Sequence, residues 1–259
     1  MCRAIPHHCR VLDRLLPSLR GFTREFAWAS PGGRAIESGG VTAGIVPSSP
    51  ERSFVNSVVY DDPAELEPRL PELAAAYDEA GVEAWTVWVH DGDAAALRAL
   101  EAAGHMLDAE PMAMGCELEA IEPPDGELEL VRDPEPADVA AVLTEAFEWG
   151  SARAALTAWY DGFHPYLALV DGAPACTVSV HDQGGDAHVT LVGTLERARG
   201  RGLAPRLMRL ALADARERGC TTTTLVATAM GRPIYTRLGY RDLGRVQMWE
   251  RRKPGPAGA

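Results

Sequence analysis

The clearest hydrophobic pattern of the chain lies in its last third. Apolar residues recur at helical spacing from 203 to 218, and Gly219 follows in the position of a helix C-cap. The apolar stretch 189–192 precedes this helix, and the β-branched run 221–228 after it predicts a buried strand. The pattern therefore predicts a strand, a loop, a helix and a second strand in that order.

The same kind of pattern predicts the elements before this segment. The predicted helices are 136–147 and 151–160, and the predicted strands are 128–132, 166–171, 174–181 and 186–195. Asp171 and Gly172 form a hairpin turn signal between two of these strands. Strands interspersed with helices indicate an α/β fold with a mixed sheet.

The loop before the helix is rich in glycine and arginine. It consists of Arg199, Gly200, Arg201, Gly202, Leu203 and Ala204, and we call it the phosphate loop. Glycines let the backbone approach an anion, and the N–H groups at the start of a helix point towards it. We expect these amides, helped by the two guanidinium groups, to bind the phosphates of a nucleotide-like ligand.

Two common phosphate-binding motifs do not fit this loop. The dinucleotide fingerprint needs a third glycine, and the P-loop needs a lysine, whereas the single lysine of the chain, Lys253, lies near its end. The loop instead resembles the R-x-x-G-x-A signature of the GNAT superfamily of acyl-CoA-dependent N-acetyltransferases. Residues 192–198 resemble the family's strand end and connector into this loop, and 233–240 resembles its short tyrosine-bearing helix. The resemblance covers residues 125–251.

The resemblance implies acetyl-CoA as co-substrate and roles for three further positions. Val192 and Thr194 lie where the family's backbone runs beside the pantetheine arm and polarises the thioester carbonyl. Tyr235 matches the tyrosine that donates a proton to the departing thiolate. The alternatives are structural, because Gly193 can mark a bulge and Tyr235 can be a core residue.

Asp186, His188 and Thr190 share one face of the strand that leads into the loop. His188 is the first candidate for the catalytic base, directly or through water, because histidine titrates near neutrality. A surface histidine without a catalytic role is an equal alternative, and Asp186 is the second candidate base.

In the family the first two helices select the acceptor, and here they offer Glu145, Glu148 and Trp149, with further aromatic residues at 147, 159 and 160, to bind an ammonium group. Solvated acids and core aromatics are the alternative.

The first half of the chain resembles a second copy of this domain. Residues 79–81 and 97–105 match 217–219 and 232–240, and the phosphate loop falls on 61–66. That segment has carboxylates in place of glycines, so we expect it to repel a pyrophosphate. A helical pair at 11–28, strands at 40–46, 53–59 and 84–89 and a helix at 63–80 complete this half. We therefore predict two tandem GNAT-like domains, each a mixed sheet flanked by helices: a degenerate one at 1–120, a catalytic one at 125–251, and a disordered tail at 252–259.

Composition limits the remaining possibilities. The net charge of −12 disfavours nucleic-acid partners, and the chain has no apolar run near the length of a membrane span. Five scattered cysteines argue against a disulfide framework. Cys2, His7, His8 and Cys9 have metal-binding side chains, but without a second ligand cluster we expect no metal.

Together these features predict a cytoplasmic enzyme, a monomer or homodimer, that transfers an acetyl or short acyl group from acetyl-CoA to a primary amine. We expect a small-molecule acceptor. The alternatives are a protein N-terminus or lysine as acceptor, and a non-catalytic acyl-CoA-binding sensor or scaffold.

Overall fold

The computed structural model describes residues 7–90, 92–123 and 126–253, with side chains from residue 13 onward. Of the predicted terminal features, Cys2, the side chains of residues 7–9 and the tail residues 254–259 lie outside the described residues. The start of the predicted tail is wrong, because Arg252 still belongs to a strand and the Lys253 amide donates to the Glu83 carbonyl at 2.7 Å. No described helix is long and apolar enough to cross a membrane.

The elements follow one another along the chain as α1 His7–Ala29, β1 Arg34–Ser38, β2 Val41–Ile45, β3 Ser57–Tyr60, α2 Pro63–Leu66, α3 Leu70–Glu79, β4 Ala84–His90, α4 Ala94–Ala102, β5 Met106–Ala109, β6 Met112–Glu117, β7 Leu130–Arg132, α5 Pro136–Phe147, α6 Ala152–Ala155, β8 Phe163–Val170, β9 Ala173–Gln183, β10 Asp186–Thr194, α7 Leu203–Glu217, β11 Thr222–Ala227, α8 Arg232–Leu238 and β12 Arg241–Arg252. Three short 3-10 helices, Glu67–Arg69, Leu118–Ala120 and Glu196–Ala198, lie between them.

The chain divides into two compact units whose boundaries differ from the predicted division. Of the described residues, the N-terminal unit comprises 22–111 and 245–253, and the C-terminal unit comprises 7–21 and 112–244. Strand pairing accounts for the difference. β6 lies antiparallel to β11 in the C-terminal unit, and most of β12 lies antiparallel to β4 in the N-terminal unit.

In the N-terminal unit the strand order is β1-β2-β3-β4-β12, with β5 also paired to β12. β3 and β4 run parallel and the other pairs are antiparallel, so the sheet is mixed as predicted. The predicted helical pair at 11–28 is one helix, α1, which continues through Pro17. β1 was missed, and it forms a hairpin with β2 through Gly39 and Gly40, both at positive φ.

In the C-terminal unit the strand order is β6-β11-β10-β9-β8-β7, with only β10 and β11 parallel. The apolar face of α7 packs on this sheet and buries Leu207, Met208 and Ala211 completely. Helix α5 has the predicted bounds. The second predicted helix, 151–160, is limited to α6, because Leu156 leaves the helical conformation at φ −95° and ψ 91°.

Candidate active site

Parallel strands β10 and β11 pair only over part of their length. Their register runs from Asp186 opposite Thr222 to Val189 opposite Leu225 and ends there, although β10 continues to Thr194. Beyond Val189 the register of β10 with β9 shifts between Thr190 and Gly193, and Leu191 has a φ of 50°. Gly193 thus ends an irregular segment of β10, in line with the structural alternative for this position. A non-glycine residue at positive φ beside a parted pair of strands is the kind of local strain that accompanies binding sites.

Close packing explains why residue 193 is a glycine. A Cβ atom there would lie 3.1 Å from a ring carbon of Phe147 and 3.4 Å from the Ala146 Cβ. The end of α5 thus lies directly against the bulge. The ring of Phe147 remains 44% exposed.

The phosphate loop lies between the 3-10 helix Glu196–Ala198 and α7. Gly200 and Gly202 adopt φ values of 77° and 70°, and no heavy atom lies within 4 Å of where their Cβ atoms would be. Within the described part of the chain, the N–H groups of residues 200–204 have no hydrogen-bond partner, and Pro205 has no N–H to offer. Five consecutive unsatisfied donors at the start of a helix form an anion site.

Arg206, which the sequence analysis did not single out, holds this loop from one side. Its guanidinium donates to the carbonyls of Arg201 and Gly202 at 3.2 and 3.3 Å, and to the Glu127 carbonyl at 3.1 Å. In a trans peptide the C=O and N–H groups point in opposite directions. The amides of Gly202 and Leu203 therefore point away from Arg206.

The other predicted coenzyme A ligands lie in this loop or on the strand that precedes it. Arg201 is exposed, and Arg199 is exposed with its Nε donating to the Thr194 carbonyl at 3.4 Å. Leu203 and Ala204 are buried in the core, so they offer their amides and not their side chains. Val192 is half-buried within the irregular segment of β10 between Thr190 and Gly193.

Tyr235 lies on α8, which ends at Gly239 in a left-handed cap. Its ring packs over Gly231, where a Cβ atom would approach a ring carbon to 2.8 Å, and its hydroxyl has no hydrogen-bond partner among the described residues. Burial, with a smaller contribution from Cys176, raises the pKa of Tyr235 to about 12. The phenol therefore carries its proton at neutral pH and has no acceptor within the described protein.

Asp186 and His188 are both buried, in contrast to a surface histidine. Three hydroxyl groups donate to the Asp186 carboxylate: Ser18 and Thr222 at 2.8 Å and Thr224 at 2.5 Å. Burial raises the pKa of Asp186, and these hydrogen bonds oppose that shift. Burial, together with His181, lowers the pKa of His188 to about 3, so its imidazole is neutral.

The three predicted acceptor-binding residues lie in different environments. Glu145 is exposed and forms an ion pair with Arg197. Glu148 is exposed at the left-handed C-cap of α5. Trp149 is only 2% exposed and donates its indole N–H to Ser151 at 3.1 Å, which leaves no accessible face for an acceptor.

The counterpart of the phosphate loop in the N-terminal unit is closed by its own side chain. Asp62 caps α2, and its Oδ1 accepts the Ala64 N–H at 2.8 Å. A carboxylate thus occupies the helix start that is open in the C-terminal unit. This geometry agrees with the expected loss of phosphate binding in the first half.

Comparison with known proteins adds the family. The model of the acetyltransferase (GNAT) family matches residues 130–240, which include the parted strands, the phosphate loop and Tyr235. This segment is a GNAT acetyltransferase domain. This family transfers acyl groups to amines and in general uses acetyl-CoA. The unpartnered N–H groups of residues 200–204 therefore lie in a domain whose family binds a ligand with phosphate groups.

Solved structures extend the likeness in fold to nearly the whole chain. A GCN5-related N-acetyltransferase from Kribbella flavida is 19% identical with a TM-score of 0.69, over 98% of this chain and 98% of that one. A functionally unknown conserved protein from Staphylococcus epidermidis is 12% identical with a TM-score of 0.62, over 86% of this chain and 95% of that one.

A tandem GNAT protein from the clavulanic acid biosynthesis pathway is 15% identical with a TM-score of 0.57, over 97% of this chain and 96% of that one. The likeness to this tandem protein is one of fold, and the family model lies in the second half of the present chain. A search of curated proteins found no match.

Proposed function

We propose that the chain is an acetyl-CoA-dependent N-acetyltransferase that transfers an acetyl or short acyl group to a primary amine of a small molecule. The observation that carries the proposal is the run of unpartnered amides at 200–204, at the start of α7 in the GNAT domain. These amides bind the pyrophosphate, and Arg199 and Arg201 add positive charge beside it.

The bound acetyl-CoA supplies the acyl group as a thioester, which the amine attacks with loss of a proton and release of the thiol. Backbone groups near Val192, in the irregular segment of β10, polarise the carbonyl. Tyr235 donates its proton to the departing thiolate. It is suited to this role because it is protonated and its hydroxyl has no partner among the described residues.

His188 accepts the proton from the amine, directly or through water. It is neutral, and its Nε2 has no hydrogen-bond partner in the described part of the chain, whereas both oxygens of Asp186 are already occupied. For the acceptor we favour Phe147 as an aromatic wall, because it is exposed and packs on the bulge. We do not assign Glu145 and Trp149 to the ammonium group, because Glu145 is paired with Arg197 and Trp149 is buried.

The test is thiol release from acetyl-CoA by the purified chain with a panel of amino sugars, polyamines, arylalkylamines and amino acids. Peptides with a free N-terminus or with a single lysine form a second panel. We expect release with a member of the first panel. Preference for the peptides would replace the acceptor class, and acetyl-CoA binding without release in either panel would indicate a sensor.

A further inference from the structure

A buried carboxylate and a buried histidine are joined by one hydroxyl group in the C-terminal unit. Thr224 Oγ1 lies 2.5 Å from Asp186 Oδ2 and 3.1 Å from His188 Nδ1. Asp186 and Thr224 are fully buried and His188 is 3% exposed. Burying a charged or polar group is unfavourable unless hydrogen bonds compensate for the lost water, so each proton of this cluster has a defined place.

The chemistry of the hydroxyl determines the direction of these bonds. A threonine hydroxyl has one proton to donate, and a carboxylate in its ionised form can only accept. Thr224 therefore donates to Asp186, as do Ser18 and Thr222. At His188 the same oxygen must accept, which places the single proton of the neutral imidazole on Nδ1.

The location of the cluster connects it to the site. Thr224 stands opposite His188 in the register of β10 and β11, and the register ends at the next pair, Val189 and Leu225. His188 thus lies at the closed end of the parted strands. Its Nε2 has no hydrogen-bond partner in the described residues.

We propose that Thr224 is a positioning residue, which fixes the Nδ1–H tautomer of His188 through Asp186 and so leaves the Nε2 lone pair to take the proton from the amine. This inference rests on the proposed function for the role of the proton, but the tautomer is a property of the resting protein. The titratable groups around the cluster include His181, opposite His188 on β9, and Arg14, whose charge acts on Asp186. Asp186 also interacts electrostatically with Tyr240, Cys116 and Cys220.

The opposite arrangement has an equally definite structure. If Asp186 were protonated and donated to Thr224 instead of to Ser18 or Thr222, Thr224 would then donate to His188 Nδ1. The imidazole proton would move to Nε2. That nitrogen would have no lone pair, and the proposed role would be wrong.

The experiment is ¹⁵N NMR of histidine-labelled protein at neutral pH without acetyl-CoA, with His188 assigned by loss of its signals in His188→Gln. We expect a protonated Nδ1 and an unprotonated Nε2 in the wild type, in Thr224→Ser and in Thr222→Val. Thr222→Val is the matched control, because it removes a donor to Asp186 from the same strand without touching His188. Thr224→Val should shift the tautomer towards Nε2–H.

Kinetics provide the second readout. We expect kcat of Thr224→Val to fall by more than about tenfold, up to the full contribution of a general base of about 10²- to 10⁴-fold, with acetyl-CoA affinity unchanged and with recovery in Thr224→Ser. A wild-type proton on Nε2 would overturn the inference, and so would a kcat of Thr224→Val within about twofold of wild type. The wild-type tautomer requires no variant other than the His188→Gln used for assignment. If no amine led to thiol release, the proposed function would be wrong, and so would the role of Thr224 in proton transfer. The spectrum would still report the hydrogen bonds of the cluster.

Discussion

The sharpest test of the phosphate loop compares two isosteric substitutions at Gly202. Asparagine and aspartate both tolerate left-handed backbone better than other non-glycine residues, and Gly202 has a φ of 70° and a ψ of 22°. No heavy atom lies within 4 Å of the position of a Cβ atom there, so neither side chain collides with the protein. The two variants differ by one negative charge, placed where we expect the pyrophosphate.

The size of the charge effect follows from Coulomb's law. A like-charge pair about 4 to 6 Å apart is unfavourable by about 1 kcal/mol in water and by about 3 to 4 kcal/mol at an effective dielectric constant of about 20. The loop is exposed, so about 1 to 3 kcal/mol is the appropriate range, which corresponds to about 5- to 150-fold in Kd. Salt screens exposed charges, so the ratio of the two Kd values should shrink from about 0.1 M to about 1 M salt.

The assay is calorimetric titration of acetyl-CoA at both salt concentrations. Gly219→Asn is the matched control, because Gly219 follows the other end of α7, also has positive φ and also faces open space. It should lose stability like Gly202→Asn, by about 1 kcal/mol, and bind acetyl-CoA normally. Equal affinity of Gly202→Asp and Gly202→Asn at low salt would show that the pyrophosphate binds elsewhere.

Four further results are expected. Tyr235→Phe should lower the single-turnover rate about 10²- to 10⁴-fold with unchanged acetyl-CoA affinity, and a rate within about twofold of wild type would return Tyr235 to a packing role. Because Asp62 caps its own helix, calorimetry should find one acetyl-CoA site per chain, and two sites would contradict this reasoning. Arg206→Met should weaken acetyl-CoA binding by about tenfold through the loss of charged hydrogen bonds to the loop, whereas exposed Arg216→Met on the same helix should have no effect. His188 has its pKa lowered from 6.5 to about 3, so its contribution to the free energy of unfolding is present above pH 6.5 and is lost as the pH falls towards 3; denaturant titrations of His188→Gln should show a weaker pH dependence over this range.

The sequence alone was sufficient for the phosphate loop and for the elements around it. Glycines at positive φ and unpaired amides at the start of a helix are consequences of local sequence, and so are the bounds of α5 and the cap of α8. Carboxylates at 61–66 predicted the loss of phosphate binding in the first half, and the structure shows in addition that Asp62 caps its own helix.

Only the tertiary structure decided which distant residues meet. The exchange of β6 and β12 between the two halves of the sequence depends on strand pairing over more than a hundred residues, which hydrophobic alternation does not specify. Arg206 was missed because its partners are backbone carbonyls, which have no sequence signal of their own.

The cluster around Asp186 shows the same limit at the site. The threonine run at 221–224 predicted a buried strand, and alternation along a strand places Thr222 and Thr224 on one face. That this face lies against Asp186 and His188, and that Ser18 of α1 completes the hydrogen bonds, follows from the pairing of β10 with β11 and from the packing of α1. Burial lowers the pKa of His188 and keeps its imidazole neutral, because the environment of a titratable group shifts its pKa from the usual value. The hydrogen bonds from Ser18, Thr222 and Thr224 occupy both oxygens of Asp186.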